Sequence, residues 1–375
     1  MWRPASDRPG PPEPPLPIGE EGAPFHATTR TSSIPGIETF EDPLVRAAIG
    51  AVLAAGRVCR AVLLRRAGVG PLTKDDRSPV TIADFASQAI VCRRLSDRTA
   101  GTAIVAEEDA AFLRQPGREA YLEAVLEAVR PEWNGVTAGA LVEALDLGGA
   151  DPCPKGFWTL DPIDGTKGFL RGQHHAISLA YVEDGRPVIG VLLCPHLGVD
   201  RRTSPVTAGE GVLCAAVLGR GAFEWAGDAT EVAPQPVSWT SEGPAEPLRV
   251  CASVEGSHSD ARHTDAMLAC LGRSSRLLLL DSQTKYAAVA RGQADAYVRV
   301  PTSLGYTEWI WDHAAGAIIA SEAGARVTDL RGRDLDFGQG RRLSANCGVL
   351  CAGGSVHAEL LDAVRKTNIL DRLRA

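Results

Sequence analysis

The residues whose types and spacing could do chemistry run Trp158-Thr159-Leu160-Asp161-Pro162-Ile163-Asp164-Gly165-Thr166-Lys167-Gly168-Phe169. The pattern is that of an apolar strand entering a tight turn and then opening a helix. Asp161 and Asp164 bracket a Pro-Ile pair, so the turn can aim two carboxylates and a backbone carbonyl at one point. Gly165 lets the backbone come close to a ligand, and the amides after it, at a helix start, offer an anion site. Hard oxygen ligands beside a phosphate-sized cradle suit Mg²⁺, which is commonly held by a few carboxylates plus substrate phosphate. Taken alone, a D-x-x-D turn reads first as an acidic surface turn, and it is the company the stretch keeps that changes this.

Three further acidic positions stand at the ends of apolar elements. Asp84 follows Ser78-Pro79-Val80-Thr81-Ile82-Ala83 and sits near the start of a helix expected over 85 to about 95. A carboxylate is favoured there by the helix dipole, and capping alone would account for it. Glu107-Glu108-Asp109 end the short apolar strand expected over 102–106. Carboxylates at the end of a buried strand are costly unless something positive sits among them. Asp312, in Trp311-Asp312-His313-Ala314-Ala315-Gly316, heads an apolar helix, where a simple N-cap is the plain alternative.

The elements that must position these residues are legible as periodicities. Apolar residues recur at helical spacing from Leu44 to Leu63, which predicts a long amphipathic helix over 43–66. Helices are expected at 121–129 and 138–145. Strands are expected at 176–181 and 188–193, joined at Glu183-Asp184-Gly185-Arg186 as a hairpin, with another hairpin over 209–224. From 248 onward strand and helix patterns alternate, which is the signature of an α/β half: strands at 248–253, 276–280, 294–300, 326–328 and 348–352, with helices at 260–271, 284–291, 312–323 and 356–364. The segment 226–247 is rich in Pro, Gly, Ser and Glu and reads as a connection. Residues 1–38 are rich in Pro and Gly, lack periodicity, and read as a disordered tail. The expected organisation is therefore a tail over 1–38, an α+β metal-binding half over 39–200 and an α/β half over 201–375.

Composition narrows the function class. Of 375 residues, 45% are hydrophobic and 23% charged, the balance of a globular protein. A net charge of −7 and a pI near 5.7 argue against a surface that coats nucleic acid or binds membranes through basic residues. No apolar run approaches the roughly 20 residues of a membrane span. The nine cysteines have no CxxC pair or metal-knuckle spacing and read as small core residues of a reduced compartment. The cytoplasm is the expected location, with a plastid or mitochondrion as the alternative if the tail is a transit peptide.

Together these pieces resemble the lithium-sensitive, Mg²⁺-dependent phosphatase superfamily of inositol monophosphatase and fructose-1,6-bisphosphatase. Its D-P-[IL]-D-G-T and W-D-x-A-[AG] patterns are matched in order and spacing at 161–166 and 311–315, and the likeness runs over nearly all of 41–365. Within it, Val254-Glu255-Gly256-Ser257-His258-Ser259, Asp281-Ser282-Gln283-Thr284-Lys285-Tyr286 and Ala296-Tyr297-Val298-Arg299 are similar to the 3'(2'),5'-bisphosphate nucleotidases. The resemblance implies a layered αβαβα sugar-phosphatase-like fold of the α/β class. It implies two or three Mg²⁺ ions held by Glu107, Asp161, the Ile163 carbonyl, Asp164 and Asp312, with Asp84 and Glu107 helping to hold the third. Thr166, hydrogen-bonded toward Asp84, would orient the attacking water, and the amides of Gly165 and Thr166 would cradle the phosphate. Ser257 and His258 would approach the ribose and base of a nucleotide, while Ser282, Lys285 and Arg299 would face its second phosphate. Asp312 would also lie against the substrate. The implied reaction is hydrolysis of 3'-phosphoadenosine 5'-phosphate (PAP) to AMP and phosphate, with an inositol mono- or 1,4-bisphosphate as the alternative substrate. The implied partner is that small molecule, with the chain a monomer or weak homodimer. Gly256 departs from the larger or basic residue expected there, which leaves the contacts at that point open.

Overall fold

The computed structural model describes residues 40–65, 72–73, 79–239, 247–254, 261–303 and 305–373. The tail expected over 1–38 lies outside them, as do Ser257 and His258. The first half opens with helix α1 (Pro43–Arg65), the short pair β1 (Leu72–Thr73) and β2 (Pro79–Val80), and helix α2 (Ile82–Ser96). Strand β3 (Ala103–Ala106) is followed by α3 (Glu119–Val129), α4 (Ala138–Asp146), β4 (Phe157–Asp164) and α5 (Thr166–Leu170). Then come β5 (Ala176–Glu183), β6 (Arg186–Cys194), β7 (Val212–Val217), β8 (Gly221–Ala226) and β9 (Gln235–Val237). The second half comprises β10 (Leu248–Ala252), α6 (Ala261–Ala269), β11 (Ser275–Leu279), α7 (Thr284–Ala290) and β12 (Ala296–Arg299). It closes with α8 (Ala314–Glu322), β13 (Ala325–Thr328), β14 (Val349–Gly353), α9 (Gly354–Thr367) and α10 (Ile369–Arg372).

Strands β3 to β9 form one seven-stranded sheet in chain order, with β3 and β4 parallel and every later pair antiparallel. Short hairpins join β5 to β6 and β7 to β8. At the β5–β6 turn Asp184 and Gly185 both take positive φ, 48° and 73°, the two-residue turn whose twist matches that of its strands. The second sheet has the order β11-β10-β12-β14-β13, parallel across β11, β10 and β12. Parallel neighbours need crossovers, and α6 and α7 supply them.

The elements stack in five layers. Helices α1 and α2 pack on each other and on the seven-stranded sheet through β4, β5 and β6. Helix α8 lies against β5 to β8 and also touches β13, and α7 joins it and reaches β12 and β14. The second sheet is covered on its far side by α9, which pairs with α6. Two apolar clusters carry most of the middle: one joins Phe157, Val182, Tyr286, Trp311 and Cys351, the other Leu192, Cys214, Ala287 and Ile319. This is the αβαβα arrangement that the family resemblance implies. The sheets exchange between Val237 and Leu248 rather than at residue 200, because β7, β8 and β9 extend the first sheet. The described residues group as one compact unit.

One composition reading needs correction. Helix α1 is long and apolar enough, with mean hydropathy 1.8 over its best window, to cross a membrane by length and composition. Its apolar face, including Ala48, Val52, Ala55 and Cys59, is buried within the structure, so its hydropathy reflects a core helix. All nine cysteines are free, and Cys347 and Cys351 do not pair.

Candidate active site

Asp84 is the third residue of α2 and completes a capping box with Thr81. Its Oδ2 accepts from the Thr81 backbone N at 2.8 Å and from Thr81 Oγ1 at 2.6 Å. Capping thus accounts for one oxygen. The other, Oδ1, is reached by the Thr166 hydroxyl at 3.3 Å, which also lies 3.3 Å from the Ile163 carbonyl. The same helix fixes the end of β4 and the loop after β3: Ser87 Oγ donates to the Pro162 carbonyl, and Gln88 bonds both the N–H and C=O of Glu108.

The acidic run after β3 divides its tasks. Asp109 caps the short turn that follows by accepting from the Ala111 N–H at 2.7 Å. Glu108 is held by Gln88 through its backbone. Glu107 follows the end of β3, and its own N–H bonds the Leu160 carbonyl, one residue before Asp161. Because β3 and β4 run parallel with Ala106 opposite Leu160, their ends bring Glu107 beside Asp161. The register of β4 against β5 then shifts between Asp161 and Asp164, and this irregularity turns Asp164 back toward the site. Gly165 follows at φ 86°, where a side chain would be strained and would press on Ser282.

Asp312 does not cap α8. The residue before the helix is His313, whose side chain makes no cap bond, so the Asp312 carboxylate is left for other work. Its position is set by Gln283, at 2% exposure one of the best-buried polar residues. Gln283 Nε2 donates to Ser178 Oγ at 2.7 Å and to the Trp311 carbonyl at 2.8 Å, its Oε1 accepts from Gly316 N at 2.9 Å, and its backbone N–H bonds Asp164. One side chain thereby ties the central turn, the residue before Asp312 and the first turn of α8. Arg341 adds a second tie, donating to the Ala106 and Ala150 carbonyls while lying 5.0 Å from the Trp311 ring.

Electrostatically these carboxylates form one group. Burial pushes the Asp161 carboxyl well up, and Glu107, Asp164, Asp312 and Asp84 push it further. Burial also raises Asp312 well up, against the opposing charge of Arg299. Asp164 is raised to about 6 by burial, with Lys285 the main opposing influence. Acids forced together this way hold protons unless a cation replaces them. Oxygen donors in this density suit a hard divalent ion, so the residues present fit a metal centre.

The cations expected to face a second phosphate lie deep. Lys285 is 4% exposed, donates to the Leu280 carbonyl at 3.2 Å and lies 5.3 Å from the Tyr297 ring. Burial lowers it to about 8 while Asp164 holds it up. It is no solvated helix-face lysine. Arg299 is engaged by both oxygens of Glu308 and by Tyr306. Burial raises Glu308, but Arg299 and His313 outweigh it and hold that carboxyl at about 2. Ser282 takes φ 66°, uncommon for a residue with a Cβ, and its hydroxyl pairs with Thr284 Oγ1 at 2.8 Å.

The structure therefore brings together Asp84, Glu107, Asp161, Ile163, Asp164, Gly165, Thr166 and Asp312, with Ser282, Lys285 and Arg299 beside them. Gln283, Glu308, His313 and Arg341 were not singled out from the sequence. Glu308, Asp312 and His313 place ligand atoms within 4.8 Å of one another. The only early signal was that Gln283 and His313 sit inside the quoted blocks.

Residues 41–369 match the inositol monophosphatase family, and the chain belongs to it. Within that family it is similar to the 3'(2'),5'-bisphosphate nucleotidase of Schizosaccharomyces pombe, 37% identical over 82% of this chain and 89% of the relative. It is also similar to the 3'(2'),5'-bisphosphate nucleotidase of Oryza sativa, 37% identical over 85% of this chain and 92% of the relative. Among solved structures the fold matches an IMPase of Thermotoga maritima, with TM-score 0.57 and 20% identity over 87% of this chain and 97% of that one. It likewise matches an inositol monophosphatase from Anabaena, with TM-score 0.55 and 20% identity over 88% and 96%.

Proposed function

We propose that the protein hydrolyses the 3'-phosphate of PAP to give AMP and phosphate, with Mg²⁺ as its metal. The observation that carries the chemistry is the convergence of Glu107, Asp161, Asp164 and Asp312 with Asp84 in one buried group, whose burial raises Asp161, Asp164 and Asp312. The substrate rests on the names of the two nucleotidases, which match nearly their whole length. When bound, Mg²⁺ in two or three sites would neutralise phosphate charge and lower the pKa of water. Glu107, Asp161, Asp164, Asp312 and the Ile163 carbonyl are the proposed ligands, with Asp84 near a further ion.

The chain's own groups then divide the work. Thr166, set between Asp84 Oδ1 and the Ile163 carbonyl, orients the attacking water and passes its proton toward Asp84. The backbone at Gly165 and Thr166 lets the phosphate approach closely. Lys285 balances Asp164, and Lys285 with Arg299 and Ser282 receives the distal 5'-phosphate. For Arg299 this means sharing its guanidinium between Glu308 and the substrate. Ser257 and His258 stay in the proposal as contacts to the ribose and base, and Asp312 as a contact to the reacting group.

Phosphate release should be measured on PAP, inositol 1-phosphate, inositol 1,4-bisphosphate and fructose 1,6-bisphosphate side by side. Preference for PAP, abolished by EDTA, is the expected result. Preference for an inositol phosphate would overturn the substrate and keep the metal site. A monomer or weak homodimer in the cytoplasm belongs to the same proposal, and gel filtration and cell fractionation test it.

A further inference from the structure

A cavity of about 350 Å³ opens between α1, the C-terminal end of α2 and the turn after α3. It is lined by Arg46, Arg93, Arg94 and Arg98, with Asp97, Glu132 and Trp133 among the remaining wall residues. Four guanidiniums in one cavity stand out in a chain whose net charge is −7. The two acids do not balance them. Glu132 is shared by Arg94 at 2.9 Å and by Arg57, which grips it from outside the lining at 2.6 and 2.9 Å. Among the described residues Asp97 has a single loose ion pair, 3.6 Å, with Arg93, whose guanidinium lies 4.3 Å from the Trp133 ring. Arg46 and Arg98 have no carboxylate partner among the described residues and are exposed.

A structural role explains only part of this. Arg93 and Arg94 belong to the last turn of α2, where the helix dipole favours cations. Arg98 directly follows the C-cap Asp97 and shares that field, but Arg46 comes from the first turn of α1, where the dipole disfavours a cation. Like charges converging on a concave surface raise its potential and concentrate anions there, and guanidiniums bind phosphate through paired N–H donors. The volume lies at the lower end of small-ligand sites. The structure assigns this cavity as a second anion site, for a small molecule carrying at least two phosphate groups. It is separate from the active site: α2 carries Asp84 in its first turn and the arginines at its far end, roughly 15 Å away at the helical rise.

The test uses the full chain in EDTA, so that metal-mediated phosphate binding at the active site is absent. Titration calorimetry with pyrophosphate and with inositol hexakisphosphate is compared for the wild type and for the Arg46→Ala/Arg98→Ala protein. Both residues are exposed and lack carboxylate partners among the described residues, so the variant should fold and keep its Mg²⁺-dependent turnover, which is measured alongside. One-site binding that weakens with added NaCl and falls roughly tenfold or more in the variant supports the site. Binding of pyrophosphate then points to a free polyphosphate ligand, and binding of the hexakisphosphate alone to phosphates carried on a ring. No binding of either probe, or equal binding by wild type and variant, overturns the assignment.

Discussion

Replacing Asp164 with Asn should stabilise the metal-free protein while destroying its activity. Burial raises the Asp164 carboxyl from 3.8 to about 6, against the opposing charge of Lys285. A group whose pKa is raised on folding favours the fold below its unfolded value and loses that contribution as pH climbs through the folded value. For Asp164 the window runs from about pH 4 to about pH 6. At 1.36 kcal/mol per unit the metal-free fold forfeits up to about 3 kcal/mol across it. The amide keeps an oxygen to accept the Gln283 N–H and carries no charge to desolvate. Urea unfolding in EDTA should therefore give the variant an advantage approaching about 3 kcal/mol at pH 8 that shrinks toward pH 5. Added Mg²⁺ should reverse the order by stabilising the wild type alone. An Asp164→Asn protein less stable than the wild type at pH 8 in EDTA would refute the reasoning. It would mean that Lys285 and Arg299 already compensate the carboxylate.

The other perturbations separate ligand, orienting and supporting roles. Asp161→Asn should lower turnover roughly a hundredfold or more, beyond the 10–100-fold typical of groups that only support a metal ligand; near-normal phosphate release would discard the ligand set. Thr166→Ala should lower kcat by about 10²- to 10⁴-fold with little change in KM, and a change confined to KM would assign the hydroxyl to substrate binding. Gln283→Leu removes three side-chain hydrogen bonds at about 1 kcal/mol each, so urea unfolding should show a loss of about 3 kcal/mol; a loss under about 0.5 kcal/mol would mean that the bonds around Trp311 and Gly316 re-form without it. Lys285→Ala should reduce use of PAP more than use of a monophosphate; equal losses would restrict Lys285 to balancing Asp164.

What could be read from the sequence was what depends on local spacing. The pair Asp161 and Asp164 share a turn, and their convergence follows from the chain between them. Asp84 and Asp312 were placed at helix starts from hydrophobic periodicity; Asp84 lies in the first turn of α2, whereas Asp312 lies two residues ahead of α8. Local reading did not separate their oxygens. The Asp84 cap takes Oδ2 and leaves Oδ1 to face Thr166, and Asp312 escapes capping because α8 begins two residues later. Nor could spacing show that Lys285 is buried. Its helix is only seven residues long and sits between two sheets, and the second sheet is assembled from strands distant in sequence.

The limit is sharpest at Gln283. Nothing in its type distinguishes it from a surface amide, and its neighbours Ser282 and Lys285 carried all the apparent chemistry. Its importance comes from partners at 164, 178, 311 and 316, which meet only once both sheets and the helical layer between them have closed. A buried amide bonded at both ends resists displacement, because losing any partner leaves a desolvated donor or acceptor. The side-chain bonds from Gln283 to Ser178, Trp311 and Gly316 join neutral groups and do not vary with the protonation of the acids, while its backbone N–H favours the ionised form of Asp164. That allows the fold to keep Asp164 and Asp312 in place before the metal arrives, at the cost in stability that Asp164→Asn would expose.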